Sequence, residues 1–278
     1  MFTSVILPLL IITGVGLAFS CILGIAYQFL AVKTNEQTEA VQQALPGANC
    51  GACGFAGCAQ YAAAVSEKGA KTNLCPVGGE AVAHRLSEIM GSAYEKVERR
   101  KAFVACNGSQ AHCRNVSEYQ GVESCAACND MFLGRKDCKY GCLGLGDCVR
   151  ACPYGAIRIE DGVAVVDQTA CTGCGQCFSK CPKQLIKVTL ENVRTFVACS
   201  NKDKGNLTRK LCASGCIGCK RCEKACEQGA IRVDEFCAVI DRTRCTQCHA
   251  CRNVCPTGAI VVVEPCGTVV ANWEEDAG

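Results

Sequence analysis

The chain opens on an apolar block. Met1 to Val32 carries no charged side chain, is rich in Ile, Leu, Val, Ala and Gly, and is punctuated by Pro8, Gly14, Gly16 and Gly24. About 20 apolar residues in helical conformation suffice to span a bilayer, so the pattern predicts one transmembrane helix within Val5 to Leu30. A signal peptide would need a positive n-region and a shorter apolar core, and no Lys or Arg precedes this run. Lys33, the first positive charge, follows the helix. The positive-inside rule then puts the N-terminus outside and the bulk of the chain in the cytoplasm. Cys21, within the helix, reads as a small buried apolar residue.

Downstream the pattern becomes mixed. Lys33 to Leu45 is polar, a tether or a helical continuation, and Pro46-Gly47 closes it. Ala59 to Ala70 has helix-forming composition and ends near Gly69. From Glu80 to Val97 apolar residues return at helical spacing: Val82, Leu86, Ile89, Ala93 and Val97. Short apolar runs at Ala156–Ile159 and Val163–Val166 then read as paired strands. They recur 74 residues on, Gly155-Ala-Ile-Arg158 as Gly229-Ala-Ile-Arg232 and Val165-Val-Asp167 as Val239-Ile-Asp241. A fixed offset means tandem copies of one unit.

A length of 278 residues suggests about two domains, but 29 cysteines and only 6% aromatics alter that estimate. The cysteine content exceeds the roughly 8–10% that marks a chain stapled by something besides an apolar core. Disulfide frameworks suit short secreted chains, whereas x2-x2-x3 ligand spacing favours a reducing compartment. A net charge of +3 is too small to imply nucleic acid. His84, His112 and His249 form no H-x3-5-H pair, which weakens a zinc-finger reading.

The cysteine spacing carries the chemistry. Cys171, Cys174, Cys177 and Cys181, followed by Pro182, form the C-x2-C-x2-C-x3-C-P run that holds 4Fe–4S clusters through thiolates. Cys245, Cys248, Cys251, Cys255 and Pro256 repeat it. In two-cluster ferredoxins the fourth cysteine ligates the other cluster. Crossed ligation in the second copy pairs Cys216, Cys219, Cys222 with Cys255, and Cys245, Cys248, Cys251 with Cys226. Glu227 stands where proline usually follows that fourth cysteine. In the first copy Leu145 occupies the position of Cys219. Cys138 is therefore expected to compensate, giving one cluster on Cys138, Cys142, Cys148 and Cys181 and another on Cys152, Cys171, Cys174 and Cys177. Upstream, Cys50, Cys53, Cys58 and Cys75 form a C-x2-C-x4-C-x16-C set. Gly51, Gly54 and Gly57 allow the backbone to wrap closely there. A zinc ribbon would show a second close pair, and Cys75 stands alone.

These five clusters use twenty cysteines. Of the remainder, Cys212 aligns with Cys138 as a spare, Cys237 aligns with Val163 on a strand, and Cys266 lies in the tail without partner spacing. Phe196-Val-Ala-Cys199 echoes Phe103-Val-Ala-Cys106 ahead of each copy. Cys106, Cys113, Cys125 and Cys128 occupy a stretch absent from the second copy and are candidates for an extra metal centre.

An apolar N-terminal helix, then Asn49-Cys-Gly-Ala-Cys53-Gly-Phe-Ala-Gly-Cys58, a distant Cys75-Pro76 and ferredoxin repeats together resemble the RnfB family. Its members are electron-transfer components of the Rnf complex, a membrane-bound, ion-translocating ferredoxin:NAD oxidoreductase. The likeness covers essentially the whole chain; the Cys50–Cys58 motif also occurs in corrinoid iron–sulfur proteins. It implies an α+β chain with an anchor (1–32), a linker and one-cluster domain (33–98), and two ferredoxin-like modules (99–190 and 191–278). It also implies electron relay between soluble ferredoxin and the other Rnf subunits at the cell membrane. No dinucleotide-binding glycine motif or P-loop is present to act on a substrate. Lys202, Lys204, Arg209, Lys210, Lys220, Arg221 and Lys224 form a basic stretch suited to an acidic ferredoxin. A polyferredoxin of another membrane reductase or hydrogenase, a zinc-rich structural protein and a disulfide-stapled secreted protein are the alternatives.

Overall fold

A computed structural model describes residues 2–30, 36–132, 134–263 and 269–270. Lys33 and Cys266, on which expectations of topology and of a spare thiol rest, lie outside the described residues. The apolar block is one continuous helix, α1 (Phe2–Leu30). Its side chains are described without a break only over residues 13–26, where Val15, Leu17, Phe19, Ile22, Leu23 and Ile25 are exposed. Among the described residues no helix is long and apolar enough to cross a membrane.

Three short helices follow: α2 (Glu36–Ala44), α3 (Cys58–Lys68) and α4 (Gly79–Met90). They bury Val41, Tyr61, Val65 and Leu86 against Cys75. α3 ends at Gly69 in the left-handed conformation, as its composition predicts. α4 stops earlier than the apolar spacing predicts. Gly91 takes φ 62° and donates to Glu88 and Ser87 carbonyls, so Ala93 and Val97 leave the helix and Val97 is buried from irregular chain. His84 is exposed and stacks on Tyr94 at 3.7 Å.

The tandem repeat is visible element by element. The first copy comprises β1 (Arg100–Val104), α5 (Cys125–Phe132), α6 (Asp147–Arg150), β2 (Ile157–Glu160), β3 (Val163–Val166), α7 (Gln176–Lys180) and β4 (Ile186–Leu190). The second comprises β5 (Thr195–Val197), α8 (Gly205–Leu211), α9 (Arg221–Ala225), β6 (Ile231–Asp234), β7 (Cys237–Ile240), α10 (Ala250–Asn253), β8 (Ile260–Val263) and β9 (Val269–Val270). In each copy an antiparallel hairpin, β2–β3 or β6–β7, joins the two cysteine runs, and the outer strands pair as β1–β4 or β5–β8. The turn after each hairpin is set by the same device. Asp167 Oδ1 accepts from the N–H and hydroxyl of Thr169, and Asp241 Oδ1 does so from Thr243.

The copies meet through equivalent residues. Phe103 and Phe196 stack with centroids 4.0 Å apart, and the Arg242 guanidinium lies over both rings. Offset aromatic stacking of this kind adds about 0.5–1.5 kcal/mol beyond area burial. Ser200 donates to the Ala105 carbonyl at 3.1 Å and Ser214 to that of Asn107 at 2.8 Å. The copies are thus one packed body at this seam, and α5 belongs to extra chain between β1 and the first copy's cysteine run.

Candidate iron–sulfur centres

In the N-terminal unit the backbone loops tightly round Cys50 and Cys53, with Gly51 and Gly54 at φ 73° and 90°. The Cys58 N–H, at the start of α3, donates to Asn49 Oδ1 at 2.8 Å. Cys75 returns to this loop and accepts an N–H from Gly78 at 3.4 Å. Burial pushes its thiol up, and Cys53 and Cys50 add to the effect. Tyr61 fixes the connection, its hydroxyl donating to the Lys71 carbonyl and accepting from the Leu74 N–H. The four expected cysteines are gathered at one end of α3.

In the second copy two sets of cysteines come together. Cys226, Cys245, Cys248 and Cys251 line one small cavity. Burial, then Cys245, Cys248 and Cys226, push the Cys251 thiol up to about 11. Cys222 is pushed up to about 12 by burial, followed by Cys216, Cys255 and Cys219. Each run therefore completes its quartet with the other run's last cysteine. Glu227 does not disturb the loop: Ala230 N–H donates to Cys226 Sγ at 3.3 Å, as Ala156 does to Cys152 at 3.4 Å beside Pro153.

In the first copy Cys177 lies among Cys171, Cys174 and Cys152, and burial and these neighbours push its thiol up to about 11. Gly173 is indispensable to this loop. At φ 71°, a methyl group there would sit 2.3 Å from the Arg100 carbonyl oxygen. This quartet adjoins the N-terminal one. Burial raises Tyr154, and Cys174, Cys50 and Cys75 raise it further.

The irregular run departs from expectation. Cys142, Cys148 and Cys181 do come together, but the fourth cysteine lining their cavity is Cys125, not Cys138. Burial, then Cys142, Cys125 and Cys181, push Cys148 up to about 12. Leu145 packs instead into a small core with Cys125, Cys128 and Leu143. The helix α5 delivers Cys125 because Asp147 Oδ2 accepts its Ala126 N–H and the Ser124 hydroxyl, both at 3.0 Å. Spacing alone does not find Cys125; its C-x2-C pairing with Cys128 is the signal the sequence offers.

Cys138 lies at the seam with Cys106, Cys113, Cys199 and Cys212. The candidate extra set is thereby split: Cys106 and Cys113 are at the seam, whereas Cys125 and Cys128 lie beside Leu145. Cys237 is buried on β7, and its thiol donates to the Cys199 carbonyl. None of the described cysteines forms a disulfide. No group of three His, Cys, Asp or Glu among the described residues closes round a single ion. The quartets offer only sulfur donors, all but Cys219 and Cys248 buried or half-buried, and Cys75, Cys152, Cys171, Cys181 and Cys226 each accept a backbone N–H, which suits a thiolate-bound iron–sulfur group. Residues of this kind would hold 4Fe–4S clusters as one-electron carriers. Loading such raised thiols releases their protons.

Two interlocked cysteine runs per module, closed by exchanged fourth cysteines, define a ferredoxin-type iron–sulfur protein. A family model described as “Putative Fe-S cluster” matches residues 45–77. One described as a 4Fe-4S dicluster domain matches 135–185 and 215–259, and a second of that description 170–230. The B-type component of the ion-translocating oxidoreductase complex of Methanosarcina acetivorans is 44% identical, over 84% of this chain and 89% of its own length. Its counterpart in the proton-translocating ferredoxin:NAD(+) oxidoreductase complex of Clostridium ljungdahlii is 39% identical, over 86% and 85%. The counterpart in the Na(+)-translocating complex of Acetobacterium woodii is 40% identical, over 87% and 73%. The chain belongs to this RnfB family of ion-translocating ferredoxin:NAD oxidoreductase (Rnf) complexes.

Proposed function

We propose that the chain relays single electrons between soluble ferredoxin and the other subunits of an ion-translocating ferredoxin:NAD oxidoreductase complex. Five 4Fe–4S clusters serve this relay. Their ligands are Cys50, Cys53, Cys58 and Cys75; Cys152, Cys171, Cys174 and Cys177; Cys125, Cys142, Cys148 and Cys181; Cys216, Cys219, Cys222 and Cys255; and Cys226, Cys245, Cys248 and Cys251. The observation that carries this reading is adjacency. Cys50 neighbours Cys174, Cys148 and Cys177 share one core, and Cys222 and Cys251 pack in another. The chain's own part is to bury the sulfurs, offer them N–H donors and keep neighbours close, which together set potential.

The helix α1 is the proposed single-pass anchor at the cell membrane, with the N-terminus outside and the cysteine-bearing units cytoplasmic. Its uncharged sequence and exposed apolar side chains support this. Ferredoxin docks on the second copy. Lys202, Lys204, Arg209, Lys210, Lys220, Arg221 and Lys224 are the basic groups of that face, beside exposed Cys219. The reading is tested by purifying the full chain anaerobically and adding reduced ferredoxin. Bleaching of an iron–sulfur absorbance supports it; a colourless, zinc-loaded protein refutes it.

A further inference from the structure

The two copies share one hairpin but treat its tip differently. In the first copy the tip is Asp161-Gly162, at φ 46° and 75°. It rests on Gly144, where a methyl group would stand 2.5 Å from the Gly162 carbonyl oxygen. Extra chain then covers it. The Gln110 N–H donates to the Asp161 carbonyl at 2.9 Å, and the Lys136 ammonium to that of Gly162 at 2.9 Å. In the second copy the tip is Glu235-Phe236, at φ 43° and 63°. It rests on Gly218 in the same way, a methyl group there falling 2.9 Å from the Phe236 carbonyl oxygen. The second copy has no such extra chain, and both tip residues are exposed, Phe236 at 46%. A left-handed φ suits glycine and is a strained place for a bulky side chain. The turn itself does not ask for phenylalanine, since the first copy builds it with glycine. Strain of this kind gathers at functional positions.

The surroundings of Phe236 say what it meets. Gly218, on which the turn rests, belongs to the loop that carries Cys219, and Cys219 is exposed. The corresponding residue of the first copy is Leu145, packed with Cys125, Cys128 and Leu143, so the same place there carries no sulfur. Cations frame the second tip. Lys202 pairs with Glu235, and exposed Lys220 follows Cys219 in the loop. Gly205 packs so closely on that loop that a methyl group would stand 2.1 Å from the Ile217 carbonyl oxygen, which sets Lys204, at the head of α8, beside it. An apolar side chain within a charged rim is the anatomy of a docking surface, and a cationic rim selects an acidic partner. The neighbours of Cys248, the other exposed ligand of this copy, are committed within the fold. Gln247 accepts the N–H groups of Arg194 and Thr195, and His249 pairs with the Thr195 hydroxyl.

We propose that Phe236 is the aromatic anchor on which an acidic ferredoxin seats, its redox group brought over Cys219. This rests on the relay reading and adds to it the residue that fixes where the carrier binds. One electron leaves the reduced carrier and enters the group held by Cys216, Cys219, Cys222 and Cys255. The carrier is oxidised by one electron and that group is reduced by one, with no bond made or broken.

The test compares full-length, cluster-loaded Phe236→Gly and Phe236→Tyr variants with the wild type under anaerobic conditions. Calorimetric titration with oxidised ferredoxin measures binding, and stopped-flow mixing with reduced ferredoxin measures electron uptake. Phe236→Gly is expected to weaken binding about tenfold, and to raise the half-saturating ferredoxin concentration by the same factor. Phe236→Tyr keeps the wild-type values. Uptake from dithionite, too small to need an anchor, stays at the wild-type rate in both. The melting temperature of Phe236→Gly does not fall, because glycine accepts φ 63° without strain. Unchanged ferredoxin binding in Phe236→Gly overturns the anchor and leaves the relay standing. A lower melting temperature with slower uptake from dithionite makes the residue a support of the loop and also overturns the anchor. A wild type that takes electrons from dithionite but neither binds nor oxidises ferredoxin refutes the relay reading, and the anchor with it.

Discussion

The backbone N–H of Cys142 donates to the sulfur of Cys106 at 3.4 Å. One residue belongs to the irregular quartet of the first copy, the other to the seam. The contact ties two places that the sequence separates by a helix and its flanking loops. It also makes the fate of Cys138 and Cys125 experimentally separable.

Cys125→Ser is expected to remove the cluster of Cys142, Cys148 and Cys181, at a cost of about four iron, and Cys138→Ser to leave that cluster in place. Spin resonance of the reduced proteins checks that its signal vanishes only in the first variant. Loss of one and the same signal in both variants would return Cys138 to the irregular quartet.

Much of this is legible in the sequence, and the boundary of what is legible has a physical cause. The Cys171 and Cys245 runs, their crossed partners Cys152 and Cys226, and the 74-residue repeat follow from local spacing. Local loops are self-contained, so spacing carries their geometry. The place of Cys125 beside Cys142, Cys148 and Cys181 is not legible, because it arrives on α5, extra chain held by Asp147 from across the run. Cys138 aligns with Cys212 in the repeat, but the meaning of that alignment is hidden. The two equivalents face a shared cavity, which only tertiary packing creates. The end of α4 at Gly91 escapes the pattern because apolar spacing continues past a left-handed glycine.

Asp147→Ala should loosen α5. It removes acceptors from Ala126 N–H and Ser124, and an N-terminal acceptor of this kind is worth about 1 kcal/mol. Thermal unfolding should begin earlier, and the Cys125 cluster should be lost first on mild chelation. Asp147→Asn should recover most of the deficit, since its side-chain oxygen still accepts.

Charge reversal on α8 and at its N-terminal flank, Lys204→Glu with Arg209→Glu and Lys210→Glu, should slow oxidation of reduced ferredoxin and flatten its dependence on salt. Arg209 and Lys210 are exposed, so stability should change little. Stopped-flow traces between low and moderate ionic strength measure both effects. An unchanged rate would move docking to another face.

The proposed route runs from the second copy to the N-terminal quartet by way of the Cys152, Cys171, Cys174 and Cys177 cluster. Rapid mixing of reduced ferredoxin with the full-length Cys177→Ser variant tests it directly. The absorbance of the second copy's two clusters should bleach on the wild-type timescale, that of the N-terminal quartet lagging behind it. Complete bleaching at the wild-type rate, in a variant shown to have lost the Cys177 cluster, would contradict the route.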